Sequence, residues 1–443
     1  MAAYRQPDRE HLSYAGPQLV PLLLPAQLSQ GTLRRFTWPI LASLLVVGLA
    51  GREQSLVDSR DHALAAGATL HLPPLYLALS PLSRTLDTLT LLSVPQTIWL
   101  FVVVAAIVLI WMFRRPRSRS RKAWLTVAIG ICSMIAAVAV IETALILLPR
   151  PMAALRAADP ETVIIDFHSH TNASRDANKR FTPADNREWH ESGGFNVAYI
   201  SDHVRFAGAA AAMQQNPQRA GDGLTVLSAV EGRYHRILST IMLGLTQADT
   251  TVLDGKGHLL PGTPSIGKVP VTIVAIPNGN IDSVTAESLD SLPHFAGMEL
   301  VDAAPRGLGQ LDREEAKIRR IASDRQLVLV ASSNNHGWGR TVAGWSLMTI
   351  PGWRELSPDS ISTLIEKPFR ERQTGAVTIV KRLRPRTHGM SLPLTFPIAA
   401  YQTLGSLTWT ERGVWIAWIW CIALVAWALA QRRRFKSALP GRG

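Results

Sequence analysis

Cysteine is all but missing: the 443-residue chain has two, Cys132 and Cys421, both inside apolar runs. That excludes a disulfide framework and a thiolate metal site. Acidic residues are also scarce, 33 against 46 Lys and Arg, for a formal net charge of +13. An excess of that size can point to nucleic acid or to an anionic lipid surface. Most of it, however, sits in short basic clusters beside apolar runs, where it reports membrane topology instead. A mean hydropathy of +0.11 is too high for an ordinary soluble enzyme and too low for a bundle lying wholly in lipid. A membrane part joined to a soluble part is the simplest fit.

Four apolar runs are read as membrane spans. Residues 1–35 form an N-terminal cytoplasmic segment without an assigned role. The first run, 36–50, follows Arg34 and Arg35 and is short beside the roughly 20 residues a span needs. A cleaved signal peptide is the rival reading, but the run starts late and lacks a small-residue cleavage site. The second run, 91–113, leads into the basic loop 114–122, read as a cytoplasmic anchor rather than a nucleic-acid patch. The third, 123–148, carries Glu142 near its far end, where a functional carboxylate and a water-reaching one are both open. The fourth, 413–430, is rich in tryptophan and ends in Arg432, Arg433, Arg434 and Lys436. Region 36–150 therefore holds three spans, an outside loop at 51–87 and the basic loop. Within it the proline-broken stretch 70–79 is expected to pack on the membrane surface. Region 392–443 holds an interfacial segment, the fourth span and a basic cytoplasmic tail. With both basic segments inside, residues 151–391 lie outside, on the periplasmic side of the cytoplasmic membrane.

The soluble region begins with a β-branched run, Val163-Ile164-Ile165, that leads into Asp166-Phe167-His168-Ser169-His170. Alternate side chains of a strand share a face, so His168 and His170 can meet at one point, a geometry that suits a metal ion. Further strands are expected at 197–200, 225–230, 240–245, 269–276, 298–301, 327–331 and 376–380, and helices at 207–215 and 312–324. Thr182-Pro183-Ala184-Asp185 reads as a helix N-cap with proline in the first turn, and Gly193-Gly194 as the stop. This alternation argues for a parallel α/β architecture. Polar residues fall repeatedly just after strands: Asp166, His168 and His170, then Ser201-Asp202-His203, then Glu231, then Asn334, Asn335 and His336. A (β/α) barrel builds its active site at those ends.

In that order the motifs resemble the PHP (polymerase and histidinol phosphatase) superfamily. His168-Ser169-His170-Thr171, with Ser174 and Asp176 after it, resembles the family's first motif. Ser201-Asp202-His203 resembles the second, Glu231-Gly232 the Gly-x-Glu motif, and Ser333-Asn334-Asn335-His336 the last. The match covers about residues 161–339, and 382 at the outside. The resemblance implies an α/β fold with a distorted (β/α)7 TIM-like barrel, here joined to four transmembrane helices. It also implies a two- or three-metal site for phosphoester hydrolysis. The chain departs from the family at Ile276, where a histidine is usual, and at Asn334, where an aspartate is usual. Arg175 and Ala177 alter the first motif's tail. The stretch at Thr240 lacks a nearby histidine; His235 is read as a surface residue rather than a substitute. His190 is read as packing beside Trp189, and His258 and His294 as loop residues.

With fewer anionic and imidazole donors than a trinuclear centre needs, one or two divalent ions (Zn, Mn or Fe) are expected. His168, His170, Glu231 and His336 would ligate directly and Asn334 weakly, while His203 would bind or bridge to a second ion. Asp166 and Asp202 would be ligands or acceptors that fix imidazole tautomers. Asp202, His203 and Arg340 are the expected catalytic residues. Arg306 and Arg233 are further candidates for gripping phosphate, and Trp338 either contacts substrate or packs. The expected activity is a membrane-anchored, metal-dependent phosphoesterase acting through activated water. Its partners would be a phosphorylated, lipid-linked substrate and the membrane, with no nucleic acid. The alternative is a degenerate barrel that binds a ligand or partner without turnover. A transporter is disfavoured by few, nearly uncharged spans.

Overall fold

The computed structural model describes residues 30–114, 121–147, 150–234, 238–245, 270–275, 289–290, 295–302, 305–386 and 389–438. The chain divides into two units, Met1–Leu45 with Ile419–Gly443, and Val46–Trp418. In the first, Phe36 stacks on Trp420 with ring centroids 6.0 Å apart.

Among the described residues the second unit carries twelve strands: β1 Leu56–Asp58, β2 Ala68–His71, β3 Ala154–Ala157, β4 Thr162–Ser169, β5 Val197–Ile200, β6 Thr225–Tyr234, β7 Leu238–Leu243, β8 Val271–Val274, β9 Phe295–Asp302, β10 Val328–Ser332, β11 Gly344–Thr349 and β12 Thr378–Arg382. Ten of them form one sheet in the order β1-β12-β11-β4-β5-β6-β7-β8-β9-β10, and β2 pairs with β3. The strands of the sheet's middle, such as Val197–Ile200, are buried along their whole length. They read as continuous apolar runs because both faces are covered. On one face Phe167 and Tyr199 stack at 5.7 Å, and Phe369 of the helix Pro358–Arg370 meets Phe167 at 5.4 Å. On the other face Ile164, Ala198 and Ile200 pack with Trp189, Ala209 and Ala212 from two helices.

The sheet curls until its last strand returns to β4. Asn334 N donates to His168 O at 2.8 Å, His170 N donates to Asn335 O at 2.9 Å, and Ser169 and Asn335 form a parallel bridge. The first half of β4 pairs with β11. Its second half is therefore left to close the curl at the C-terminal ends of the strands. This agrees with the expected barrel-like α/β arrangement. The sheet is not wholly parallel, however: β7 runs antiparallel to both β6 and β8. The reason is length. A parallel return needs a crossover of about a dozen residues, and only 235–237 separate β6 from β7.

The helix Pro183–Gly193 starts and stops as its sequence dictates. Thr182 and Asp185 form a reciprocal capping box and Gly194 takes a left-handed conformation at φ 84°.

The expectation of four transmembrane helices is corrected. Among the described residues one helix is long and apolar enough to cross a membrane, Trp409–Arg432. Ser80–Thr90 and Val94–Ile110 qualify only as a pair, bent by 119° at the break between them. Phe36–Gly48 and Ala128–Ile141 are shorter apolar helices, below the length that covers a hydrocarbon core. Ile276, His235, His258 and His294 lie outside the described residues, as do the side chains of Glu142, Arg233 and Arg306.

Candidate metal centre

Four segments bring five donors together at the curl's closed end. β4 supplies His168 and the residue two further on, His170. The turn after β5 supplies His203, β6 supplies Glu231, and the loop after β10 supplies His336. One carboxylate oxygen, Glu231 Oε2, lies 3.3 Å from His168 Nε2, 3.3 Å from His170 Nε2 and 3.2 Å from His203 Nδ1. Two groups have ligand atoms within 4.8 Å of one another: His168, His170 and Glu231, and His170, His203 and His336. The first is buried. The second opens toward solvent, past Asp176, whose side chain is 58% exposed.

The partners of the rings decide which nitrogens are free. His168 Nδ1 is 2.8 Å from Glu299 Oε1, a carboxylate that can only accept. His336 Nδ1 is 2.9 Å from the carbonyl of Asn334. His170 Nδ1 is 3.0 Å from Ser174 Oγ, whose own proton goes to Asp202 Oδ1 at 2.8 Å, so the hydroxyl can only accept from the ring. In all three a proton resides on Nδ1, which leaves Nε2 to a second proton or to a cation. His168 Nε2 and His170 Nε2 nevertheless stand 2.9 Å apart. Two lone pairs at that distance repel unless a proton or a cation stands between them. His336 Nε2 is buried without a hydrogen bond, 3.4 Å from Asp176 Oδ1. The donor set, imidazole nitrogens plus one carboxylate, is the one that Zn, Mn or Fe accepts. The residues fit such an ion.

A proton can take the cation's place. Burial pulls the His168 imidazole down, yet Glu299 and Glu231 hold it well above the usual histidine range. Burial, and then neighbouring His336, push His170 well below that range. Burial works to raise the Glu231 carboxyl, but hydrogen bonds from His168 and His170 hold it well below the carboxylate range. Burial opposes a raised His203, and contacts with Asp176 and Glu231 outweigh it.

Asp166 and Asp202 do not join either group. Asp166 Oδ1 accepts from the backbone of His168 and of Ser333, and its Oδ2 accepts from His190 Nε2 at 2.8 Å. In a regular strand Asp166 and His168 would share a face. The pairing of β4 with β5 shifts register between Asp166 and Ser169, and this sends Asp166 to the helix side and His168 to the donor side. His190 packs on Trp189 at 5.0 Å, as expected, but also makes that bond to Asp166. Asp202 accepts from Thr171 N, Thr171 Oγ1 and Ser174 Oγ at 2.7–2.8 Å. Burial raises its pKa. The helix Ala207–Met213 comes so near that a Cβ on Gly208 would sit 2.0 Å from Asp202 Oδ2.

Asn334 occupies a left-handed conformation at φ 43°, which asparagine tolerates. Its Nδ2 donates to Asp302 at 2.9 Å, while its Oδ1 is buried without a partner. Val204, just after His203, is left-handed at φ 56°. For a β-branched residue that is strained backbone of the kind found at functional sites. Arg340 lies 3.8 Å from Glu188. Trp338 is 51% exposed, its Nε1 3.4 Å from Asp176 O.

Glu299 went unnoticed in the sequence. A carboxylate between Met298 and Leu300 in a buried strand was the available signal, since such a charge is buried only when paired. Ser174 and Asp176 were visible as part of a motif tail, but not as the groups that orient His170 and bridge His203 to His336.

No protein-family model and no curated protein matches the chain. Several solved structures overlap part of it. PsfC from Pseudomonas syringae is 12% identical, covering 55% of this chain and 98% of its own, at TM-score 0.34. An amidohydrolase from Chromobacterium violaceum is 14% identical, covering 49% and 97%, at TM-score 0.30. A lesion-specific endonuclease from Pyrococcus furiosus is 13% identical, covering 49% and 57%, at TM-score 0.32. Likeness at these scores is too loose to transfer an activity, so the site's own geometry has to carry the functional reading.

Proposed function

We propose that this chain is a metal-dependent phosphoesterase of the PHP type, held at a membrane by the helix Trp409–Arg432. One observation carries the reading: the Nε2 atoms of His168 and His170 face each other at 2.9 Å beside Glu231. His168, His170 and Glu231 would hold one ion, and His203 and His336 a second. An imidazole nitrogen has one lone pair, so His170 serves one ion only. A divalent cation in this place supplies an acidified water and offsets negative charge on a phosphoryl group.

The chain's own groups do the rest. Glu299, Ser174 and the Asn334 carbonyl hold three imidazoles in the tautomer a cation requires. Asp202 fixes Ser174 and, through Thr171, the backbone that follows His170. Asp166 holds the strand end and the loop after β10 together. His203, between Glu231 and Asp176 at the open pole, is the group placed to move a proton to or from solvent when it is not ligating the second ion. Asn334 Oδ1 offers one more oxygen donor. Arg340, in the loop that carries His336, supplies positive charge toward an anionic substrate.

The test is elemental analysis of the purified full chain, followed by a panel of aryl phosphate mono- and diesters. Stoichiometric Zn, Mn or Fe with turnover that disappears in His168→Ala is the expected result. Duplex DNA with an abasic site belongs in the panel, with no cleavage expected. A protein without bound metal would sink the reading. The amide at Asn334, in place of an anionic carboxylate, favours a second one, in which metal binds without turnover and the domain recognises a ligand.

A further inference from the structure

Helix Ser80–Thr90 is amphipathic with its faces reversed. Its buried positions are Ser80, Ser83, Arg84 and Asp87, the i, i+3, i+4 and i+7 stripe that a soluble domain normally fills with apolar side chains. Leu82, on the opposite face, is 50% exposed. The inward polar groups are consumed by the protein. Arg84 Nε donates to Glu411 at 2.7 Å, and Tyr76 Oη donates to Asp87 at 2.6 Å. Asp87 also pairs with Arg150 at 2.6 Å and Arg382 at 2.5 Å. The outward face offers water almost nothing: the hydroxyl of Thr85 turns back onto Pro81 O at 2.7 Å. Neighbouring elements of the same unit also expose large apolar side chains, Leu75, Val94, Ile98, Leu394 and Trp409, each between 49% and 71% exposed.

We propose that this face lies in the interfacial layer of a lipid bilayer, with helix Ser80–Thr90 in the plane of the membrane. The proposal rests on the membrane-held reading above but adds a contact which that reading does not contain. Three observations favour lipid over a second protein. The helix is continuous with the apolar Val94–Ile110, and the two pass a span's length and composition only together, across a 119° bend. A helix that turns flat at the surface before entering the core has that form. An exposed tryptophan, Trp409, opens the apolar helix Trp409–Arg432, where interfacial aromatics belong. Basic clusters follow both apolar stretches in sequence, Arg114 to Lys122 and Arg432 to Lys436, and they complement anionic headgroups.

One consequence concerns the candidate centre. Asp87 Oδ1 accepts from Thr341 Oγ1 at 2.9 Å, five residues beyond His336. The lipid-facing helix thus holds one leg of the loop that carries His336, a candidate metal ligand.

The experiment uses the full chain with Cys132→Ala and Cys421→Ala, reconstituted in phosphatidylcholine–phosphatidylglycerol vesicles. Spin labels are placed singly at Leu82→Cys, at Ile422→Cys within the apolar helix, and at Glu355→Cys on the soluble domain. Collision rates with oxygen, which partitions into lipid, and with a water-soluble nickel chelate are compared. The expected result is an oxygen-to-nickel ratio at 82 several-fold above that at 355 and approaching that at 422. A ratio at 82 like that at 355, with 422 still in lipid, overturns the proposal and leaves the membrane-held reading standing. Water-like ratios at both 82 and 422 overturn both. Low collision with both reagents at 82 means a protein covers the face, and also overturns it.

Discussion

Two buried charged clusters lie in the same unit and behave in opposite ways. Around Asp87 the carboxylate is well supplied: Tyr76, Arg382 and Thr341 donate to it and Arg150 pairs with it at 2.6 Å, with Arg150 Nε left without a hydrogen bond. Around Glu231 the balance differs. Imidazoles crowd one carboxylate oxygen, two of them turn their Nε2 atoms on each other at 2.9 Å, and His336 Nε2 has no hydrogen bond. Closed bonding of the first kind holds elements together. Crowded donors of the second kind are where a cation could be held. The contrast sets a structural cluster beside the candidate functional one.

The comparison can be broken most forcefully at Asp87. Asp87→Ala leaves Arg150 and Arg382 buried without their counter-charge and should cost about 3–5 kcal/mol, read as a large fall in Tm with the metal content per folded molecule unchanged. His170→Ala should do the reverse. It removes a donor common to both groups, so stoichiometric metal disappears from elemental analysis while Tm in chelator moves less than in Asp87→Ala. If His170→Ala unfolds the protein and Asp87→Ala does not, the distinction fails.

Finer tests follow. Glu299→Gln keeps the shape but lets the amide donate as well as accept, so the His168 tautomer is no longer enforced. Metal affinity should fall about 10–100-fold, measured by competition with a chromophoric chelator. The pH dependence sharpens the contrast again. His168 is held above its ordinary value, so its contribution to stability is complete below that ordinary value and is lost as pH rises through the elevated one. Glu231 is held below its ordinary value, so its contribution is present above that value and is lost as pH falls through the depressed one. In chelator, Tm should therefore decline on the alkaline side. Added zinc should raise Tm by an increment that grows with pH, because the metal displaces the imidazole proton. An increment that shrinks with pH would count against the centre. Smallest, Tyr76→Phe removes one donor from a well-supplied carboxylate and should cost about 1 kcal/mol.

Much of the centre is legible in the sequence because its donors follow strands and strands announce themselves by β-branched runs. His168, His170, His203, Glu231 and His336 are all found that way, as is the helix capped by Thr182 and stopped at Gly194. What escapes depends on events the local pattern does not encode. Asp166 looks like a companion of His168 until a register shift in β4 turns it away. Glu299 is one residue in an apolar strand, and its meaning depends on a ring 131 positions earlier. Helix Ser80–Thr90 reads as part of a hydrated loop because its polar stripe suggests water; the groups that occupy that stripe, Arg382 and Glu411, lie some 300 positions away. The antiparallel β7 was readable in principle from the brevity of the link before it.

The closure of the curl also has a consequence for biogenesis. Ser333 Oγ reaches the carbonyl of His168 across 165 positions of sequence, and the bonds on either side of it fasten the earliest ligand-bearing strand to the last. A growing polypeptide leaving the ribosome therefore exposes its first histidines long before their counterpart exists. Contacts so far apart in sequence form late and slowly, and the complete set of donors is assembled only once synthesis has passed residue 336.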